Sequence, residues 1–468
     1  MHVAGTNGKG AVCAILDSCL RAAGIRSGRY TSPHLVRLNE RFFVDGAPAS
    51  DELIEASARK VAKVAPADLT FFEALTATAF DLYASAKPDY VILETGLGGR
   101  LDATNVCEPE IAVITRIGLD HCDWLGGTIA EIAAEKAGII KPGVPVVVGA
   151  NSNEAIDVIE GHAHKVGAPV IYAPDVVDRS EIPEDFNLEG SFNRENAVTA
   201  LAVLKTIGLS DCDAGFRNVV WPGRFQRVGN FIVDGAHNPP AARALASSLG
   251  EGSLTLIAGF CGDKDVDAVL KTLAPCVGRG LAVKTNNPRS LSAEDTARRM
   301  AAAGISATPC ASLKEAIALA GSDDALICGS LFLAGEALLE LGAYPWGDAK
   351  SVDPSVNRIM IRSFQILESA MDDSLSFHFI VDVQSLYHIL QQVFTIWKRQ
   401  NELIYLILVR TIEIMLPFHF IWSEEKEHMV EIADLLQNIQ WNQAIHDDFL
   451  ILWKSKQISD CEVSLLPC

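Results

Sequence analysis

Three stretches of this chain carry residue types and spacings that can do phosphate and metal chemistry. The first is Gly5-Thr6-Asn7-Gly8-Lys9-Gly10, set between the short apolar run Met1–Ala4 and an amphipathic stretch. Glycines there let backbone N–H groups converge on phosphate oxygens, and a following helix N-terminus adds favourable potential. Lys9 supplies positive charge for the outer phosphates. The spacing departs from the general G-x-x-x-x-G-K-[ST] form, because Val3 stands where its first glycine would be, and an ordinary glycine turn is the bland alternative. The second stretch runs from Leu93 to Asn105 (LETGLGGRLDATN), where Glu94 ends the apolar run Tyr90–Leu93. Ligands of open α/β sheets sit beyond the carboxyl ends of strands, and a carboxylate there, beside a phosphate loop, suits Mg2+. The third is Gly118-Leu119-Asp120-His121, followed by Glu135-Lys136-Ala137-Gly138 before Pro142. His121 alone reads as well as a structural histidine, and Lys136 as a cation placed for a helix C-terminus.

Farther along, Trp221-Pro222-Gly223-Arg224-Phe225 precedes Val233-Asp234-Gly235-Ala236-His237-Asn238-Pro239. Arg224 can clamp a phosphate bidentately. Asp234 and His237, at a strand end, can hold nucleotide hydroxyls or position a phosphate. Singly, each reads equally as an ion pair or a turn.

The elements that must position these groups alternate between strand and helix. Val12, Ile15, Leu16, Cys19 and Leu20 recur at helical spacing after the glycine loop. Tyr90–Leu93, Ile111–Ile114 and Val144–Val148 read as strands with helices between, which implies a parallel sheet covered on both faces. A second series, Phe231–Val233, Leu254–Ile257, Leu281–Val283 and Leu326–Cys328, is separated by helices such as Ala241–Leu249 and Ala293–Ala303. A polar joint at Pro174, Asp175, Asp178, Glu181, Pro183 and Glu184 divides the two series. Two α/β domains in series place a site in the cleft between them. Composition changes again near residue 350: all 35 glycines lie at or before Gly347, and alanine becomes rare after Lys350. Beyond it, Ser385–Arg399 and Lys426–Leu436 read as helices. The expected organisation is α/β: a P-loop ATPase-like central domain with a mostly parallel sheet over 1–180, a smaller Rossmann-like α/β domain over 185–345, and a mainly helical tail over 351–468.

Whole-chain arithmetic narrows the function. With 468 residues, about three domains are expected. Lys and Arg number 39 against 59 Asp and Glu, a net charge of −20, which argues against generic nucleic-acid binding. The 11 cysteines form no C-x-x-C pair, so neither a zinc site nor a disulfide framework is indicated. The apolar stretch from Leu403 is broken by Arg410 and Glu413, too short to span a bilayer. With no signal peptide at Met1, a cytoplasmic, reducing location follows, without a membrane partner.

The order of these stretches, with Thr31-Ser32-Pro33-His34-Leu35, Asn39-Glu40-Arg41, EKAGIIKPG, WPGRFQ and VDGAHNP, resembles folylpolyglutamate synthase / dihydrofolate synthase of the Mur ligase superfamily. The resemblance covers about 1–345; it starts N-terminally short of the family, and 351–468 has no family counterpart. It implies ATP and Mg2+ as cofactors. It also implies an acyl-phosphate reaction adding L-glutamate to dihydropteroate or reduced folates, in a monomer. By this resemblance Gly5, Thr6, Asn7, Gly8, Lys9, Gly10 and Ala11 cradle the ATP phosphates, although the family usually has Ser or Thr at Ala11. Asn196, Arg224, Asp234 and His237 match ATP-contacting positions, and Phe192-Asn193 replace a common His-Gln pair. Ser32 and Glu94 would hold one Mg2+, Glu94 and His121 a second. Lys136 matches a carbamylated lysine. Lys9, Lys136, His121 and Glu94 form the catalytic set. Thr70, Phe72, Asp102 and Ala103 match dihydropteroate-binding positions, Phe72 stacking on the pterin and Asp102 accepting its N–H groups; Phe71 reads as core or site with equal ease. Two other readings stand beside this one: a non-catalytic, fused family remnant, and a Mur-type ligase for another carboxylic acid.

Overall fold

A computed structural model describes residues 1–66, 69–262 and 264–347. The expected tail helices lie outside the described residues. Two sheets organise the rest. In the first lobe, β1 (His2–Ala4), β2 (Ser27–Tyr30), β3 (Phe42–Val44), β4 (Ala47–Pro48), β5 (Tyr90–Glu94), β6 (Ala112–Ile114), β7 (Val146–Val148) and β8 (Val170–Tyr172) lie in the order β4-β3-β2-β5-β1-β6-β7-β8. The strands from β2 to β8 in that order are parallel, and β3 and β4 add an antiparallel edge. Valine and isoleucine fill β6 and β7, and both strands are fully buried, as expected of a sheet covered on both faces. The helix Lys9–Ala22 packs on one face with Ser191–Thr206, while Ile129–Ala137 and Asn153–Lys165 pack on the other.

The second lobe holds β9 (Gln226–Val228), β10 (Phe231–Val233), β11 (Leu254–Ala258), β12 (Val277–Ala282), β13 (Ala307–Pro309) and β14 (Ala325–Cys328). Their order is β13-β12-β11-β14-β10-β9, parallel except for β9 at the edge. Helices Pro239–Leu249, Val266–Leu273 and Ala293–Ala302 cover one face; Leu313–Ala320 and Leu331–Glu340 cover the other.

The core does not change hands at the polar joint near 180–185. Phe186, Leu188, Ala197, Val198, Ala200–Leu204, Phe216 and Val219 all pack into the first lobe's core, and after them Phe225 packs into the second. Within the polar joint Val177 and Ile182 are buried in the first lobe's core, so the chain does not leave that lobe there. Apolar spacing in Ser191–Thr206 is the signal that composition hid.

β2 was invisible as a strand because Ser-Gly-Arg-Tyr looks polar. Its interior role rests on a buried pair. Arg29 is 2% exposed; its Nη1 lies 3.5 Å from Asp17 Oδ2, and its guanidinium sits 3.8 Å over the Phe43 ring. Ser27 Oγ donates to Asp17 Oδ1 at 2.6 Å. Arg29 Nε and Nη2 have no protein partner among the described residues. Asp17→Asn therefore leaves a buried cation uncompensated, and the variant is expected to lose about 3–5 kcal/mol of unfolding free energy. Denaturant titration measures this; a loss under about 1 kcal/mol refutes Asp17 as the compensating charge.

Candidate active site

The turn from β1 into Lys9–Ala22 is shaped by what crowds it. Gly8 is the N-cap, at φ 89°, and brings no side-chain cap to the helix's first N–H groups. A Cβ on Gly8 would stand 2.2 Å from Asn196 Oδ1, and one on Gly10 2.3 Å from the Trp221 ring. Only glycine lets these neighbours close on the turn while the helix N-terminus stays open to an anion. Thr6 and Asn7 donate their N–H groups to the Arg116 carbonyl, and Thr6 Oγ1 exchanges hydrogen bonds of 3.0 Å with Gly118 N and O. Ala11 is buried in the first helical turn and offers no hydroxyl.

Charged groups gather around this turn. Lys9 Nζ lies 3.9 Å from Glu94 Oε1 and 3.4 Å from the Thr6 carbonyl. Glu94 ends β5 beside β1 and is 4% exposed. Its Oε2 accepts from Ser32 N at 3.0 Å. Burial pushes the Glu94 carboxyl above the usual carboxylate range, against the opposing pull of Lys9, the Ser32 N–H and Arg224. Lys136, in the last turn of Ile129–Ala137, is 3% exposed and donates to the Gly5 carbonyl at 2.8 Å. Burial, with Lys9 adding, pulls its amine down to about 7.

His121 opens the short helix Cys122–Leu125 in a left-handed conformation, φ 53°. It is half-exposed, 3.9 Å from Asp120 Oδ2, and its imidazole is held below the ordinary range by burial. Lys264, Lys9 and Lys136 add to that lowering, so His121 feels the same cationic cluster.

The second lobe meets this cluster directly. Asp234 Oδ2 accepts from Phe225 N and Oδ1 from Ala236 N, both at 2.7 Å. Arg224 is within electrostatic reach of Asp234, Glu94 and Glu40, and lies 5.9 Å from the Trp221 ring centroid. His237 Nδ1 pairs with the Gly235 carbonyl at 2.8 Å. Asn196 stands over Gly8 from the helix Ser191–Thr206. Thus Lys9, Glu94, Lys136 and His121 converge on the glycine turn, with Arg224, Asp234 and His237 facing them from the other lobe.

Three further groups complete the junction. Asp120 Oδ2 accepts from Asn238 Nδ2 at 2.6 Å, and Lys264 Nζ lies 3.8 Å from Oδ1. Trp221 closes over Gly10 with Arg29 5.3 Å from its ring. Asp120, Asn238 and Trp221 stood inside quoted stretches, yet nothing in sequence pairs residues more than a hundred positions apart. Lys264 carried no signal.

The expected acid-binding residues also serve the local fold. Thr70 caps the helix Phe71–Ala86 in a reciprocal box with Glu73: Thr70 Oγ1 donates to Glu73 Oε2 at 2.6 Å, and Glu73 N to Thr70 Oγ1 at 3.3 Å. The T-x-x-E spacing is thus accounted for by capping. Phe72 is half-buried, its ring 6.2 Å from Tyr30 and filling the space where a Gly96 Cβ would be, while Phe71 is 53% exposed with Arg41 6.0 Å from its ring. Asp102 accepts from Gly96 N, Leu97 N, Thr104 N and Thr104 Oγ1 at 2.5–3.0 Å. A carboxylate has about four acceptor positions, so Asp102 is spent on folding the 96–104 loop. Ala103 begins the 3-10 turn Ala103–Val106 beside it.

The donor chemistry near Glu94 fits a hard cation. Among the described residues, Oε1 meets only the Lys9 ammonium; Ser32 is adjacent, and the neighbouring Thr95 hydroxyl is buried without a partner. Mg2+ takes one or two carboxylates and leaves its other positions to water and phosphate. No group of three or more His, Cys, Asp or Glu side chains is placed to hold a metal ion by itself among the described residues.

Both lobes are similar to known proteins. Residues 3–173 match the Mur ligase middle domain and 223–331 the Mur ligase glutamate ligase domain. The dihydrofolate synthase/folylpolyglutamate synthase of Escherichia coli (strain K12) is 35% identical over 352 residues, 70% of this chain and 83% of its own length. The folylpolyglutamate synthase of Mycobacterium tuberculosis, complexed with ADP and AMPPCP, superposes with a TM-score of 0.67 at 32% identity, over 74% of this chain and 91% of its own. The bifunctional folylpolyglutamate synthase/dihydrofolate synthase of Yersinia pestis, complexed with AMPPNP and Mn ion, gives 0.65 at 34%, over 73% and 88%. The chain belongs to the dihydrofolate synthase/folylpolyglutamate synthase family of ligases, with two Mur ligase domains.

Proposed function

We propose that this chain is an ATP- and Mg2+-dependent ligase that joins L-glutamate to dihydropteroate or a reduced folate. The observation that carries the reading is the convergence of Lys9, Glu94 and Lys136 on one uncapped helix N-terminus, opposite Arg224 and Asp234. An oxygen of the acid's carboxylate attacks the γ-phosphorus of ATP, and ADP leaves. The glutamate amine then attacks the acyl carbon, loses a proton, and phosphate leaves. The protein contributes positioning and charge neutralisation. The N–H groups of Gly8–Ala11 and the Lys9 ammonium take the phosphates. Arg224 faces the same space from the second lobe, and Asn196, Asp234 and His237 border the nucleotide. Ser32, Glu94 and His121 would hold Mg2+, which when bound offsets phosphate charge. Lys136, half neutral near pH 7, is ready to take up carbon dioxide on Nζ, releasing one proton; its carbamate would offset the surrounding cations.

In this reading the acid lies along Phe71, Phe72 and the 96–104 loop, with Thr70, Asp102 and Ala103 shaping the pocket through capping and loop structure. The groups named above all come from one chain, which suits a monomer. None of the nine cysteines among the described residues is in a disulfide, which suits the cytoplasm. No helix of the described residues is long and apolar enough to cross a membrane.

The test is ADP release by the full chain. Release that needs acid, L-glutamate and Mg2+ together supports the ligase; release indifferent to both acid and glutamate overturns it. Phe72→Ala removes the ring beneath Gly96 and is expected to raise the KM for dihydropteroate about tenfold, with the KM for ATP changed less than twofold. Equal losses for both would point to another acid.

A further inference from the structure

The segment 31–43 belongs to the first lobe in sequence and sheet, yet the second lobe holds it. Leu35 packs into the second lobe's core. Its carbonyl lies 2.6 Å from where a Gly335 Cβ would be, and its side chain lies against Gly223. Phe43 stacks edge-on against Trp346 at 5.2 Å, and Trp346 against Tyr344 at 5.8 Å.

At the centre of this segment is one buried carboxylate. Glu40 is 6% exposed. Its Oε2 accepts from Leu35 N at 2.7 Å, and Oε1 from Val36 N at 2.8 Å and Arg37 N at 2.6 Å. The Tyr344 hydroxyl, 304 residues away, donates to Oε1 at 2.7 Å. The backbone of the same residue pair reaches the other way: Thr31 Oγ1 donates to the Glu40 carbonyl, and Thr31 N to the Arg41 carbonyl. Thr31 precedes Ser32, whose N–H is on Glu94. Glu40 therefore closes the loop 31–41 upon itself and ties it to the second lobe at one hydroxyl.

We propose that Glu40 is a positioning residue and Tyr344 its clasp, so that seating of the second lobe sets the Ser32 loop against Glu94. The consequence for Mg2+ rests on the ligase reading; the clasp itself does not. A hydrogen bond to a buried charge is strong, and without it the carboxylate holds its place less firmly, so the loop's three N–H bonds to the same group open more readily.

Tyr344→Phe in the full chain deletes the hydroxyl and keeps the ring on Trp346. Two measurements are made on it. In hydrogen exchange, protection of the Leu35, Val36 and Arg37 amides is expected to fall about tenfold or more, with the β5–β7 amides unchanged. Unchanged protection at 35–37 overturns the clasp, whatever the enzyme does. In nucleotide binding, the Mg2+ concentration for half-maximal ADP affinity is expected to rise about threefold to tenfold, with metal-free ADP affinity unchanged. A merely structural weakening would lower both affinities alike, and that result overturns the link to the Ser32 loop. Should Tyr344→Phe fold poorly, Glu40→Gln, which keeps the side chain's shape and removes the charge that the three N–H groups and the Tyr344 hydroxyl share, is expected to lower protection at 35–37 in the same direction. Unchanged protection there overturns Glu40 as the positioning residue and the clasp with it. A wild-type protein that binds no nucleotide would sink the ligase reading and still leave the exchange arm to decide on Glu40.

Discussion

Lys136→Met is expected to lower ligase turnover about a hundredfold to a thousandfold and, below neutral pH, to raise the stability of the fold. Both effects come from one buried amine. Its surroundings pull its pKa from the ordinary 10.5 to about 7, burial first and Lys9 second. Between about 7 and 10.5 the unfolded chain holds a proton that the folded chain has released, so stability rises with pH across that window. Below 7 both states are protonated and the full cost of a buried cation stands, on the order of a few kcal/mol. Methionine lacks that cost. The melting temperature of the variant should exceed the wild type's at pH 6 in carbon-dioxide-free buffer, and the gap should close toward pH 10. Bicarbonate should raise wild-type turnover, more at pH 8 than at pH 6, since only the neutral amine takes up carbon dioxide, and should leave the variant unmoved. A variant within threefold of wild-type turnover would remove Lys136 from the reaction.

A residue that lowers stability where it sits is one that sequence can flag only by its company. Lys136 at a helix end has an innocent reading, and so does Glu94 after a strand. What singled them out was the glycine turn before them, and the structure places both against that turn. The runs of Val and Ile in β6, β7 and β10 were legible because parallel strands buried on both faces need them. β2 was not, because its interior position depends on Asp17, ten residues earlier and on another element. Thr70 and Asp102 were legible as important, and the structure adds local roles that the sequence reading did not name. Their bonds run to neighbours two to six residues away, which is local capping and loop chemistry. Phe71 and Phe72 are adjacent on one helical turn, and only packing against Tyr30 and Gly96 decides which ring is covered. The lobe junction was illegible for a different reason. Asp120 with Asn238, and Glu40 with Tyr344, join residues 118 and 304 positions apart, and no local pattern encodes such a pairing.

Glu94→Gln is expected to remove ligase turnover by about a hundredfold or more, and it separates two roles that the geometry alone would allow. In one, Glu94 is the counter-ion that holds Lys9, and the metal is incidental. In the other, it is a metal ligand whose lysine contact at 3.9 Å is loose by design of the neighbourhood. The pKa direction favours the second. Burial outweighs Lys9, the Ser32 N–H and Arg224, so the carboxylate remains under-compensated in the protein alone. For a carboxyl raised above its ordinary 4.5, the folded state binds the proton more tightly, and stability falls as pH rises above that value. The amide carries no such cost, so Glu94→Gln should be as stable as wild type at pH 7 or more so, by thermal melting. As counter-ion, its loss would instead destabilise the fold and weaken metal-free ADP binding by freeing Lys9 from its place. As ligand, metal-free ADP binding should hold within twofold while the enhancement by Mg2+ disappears. Titrating ADP with and without Mg2+ on both proteins reads this directly, and a variant that keeps its Mg2+ enhancement would take Glu94 out of the metal site.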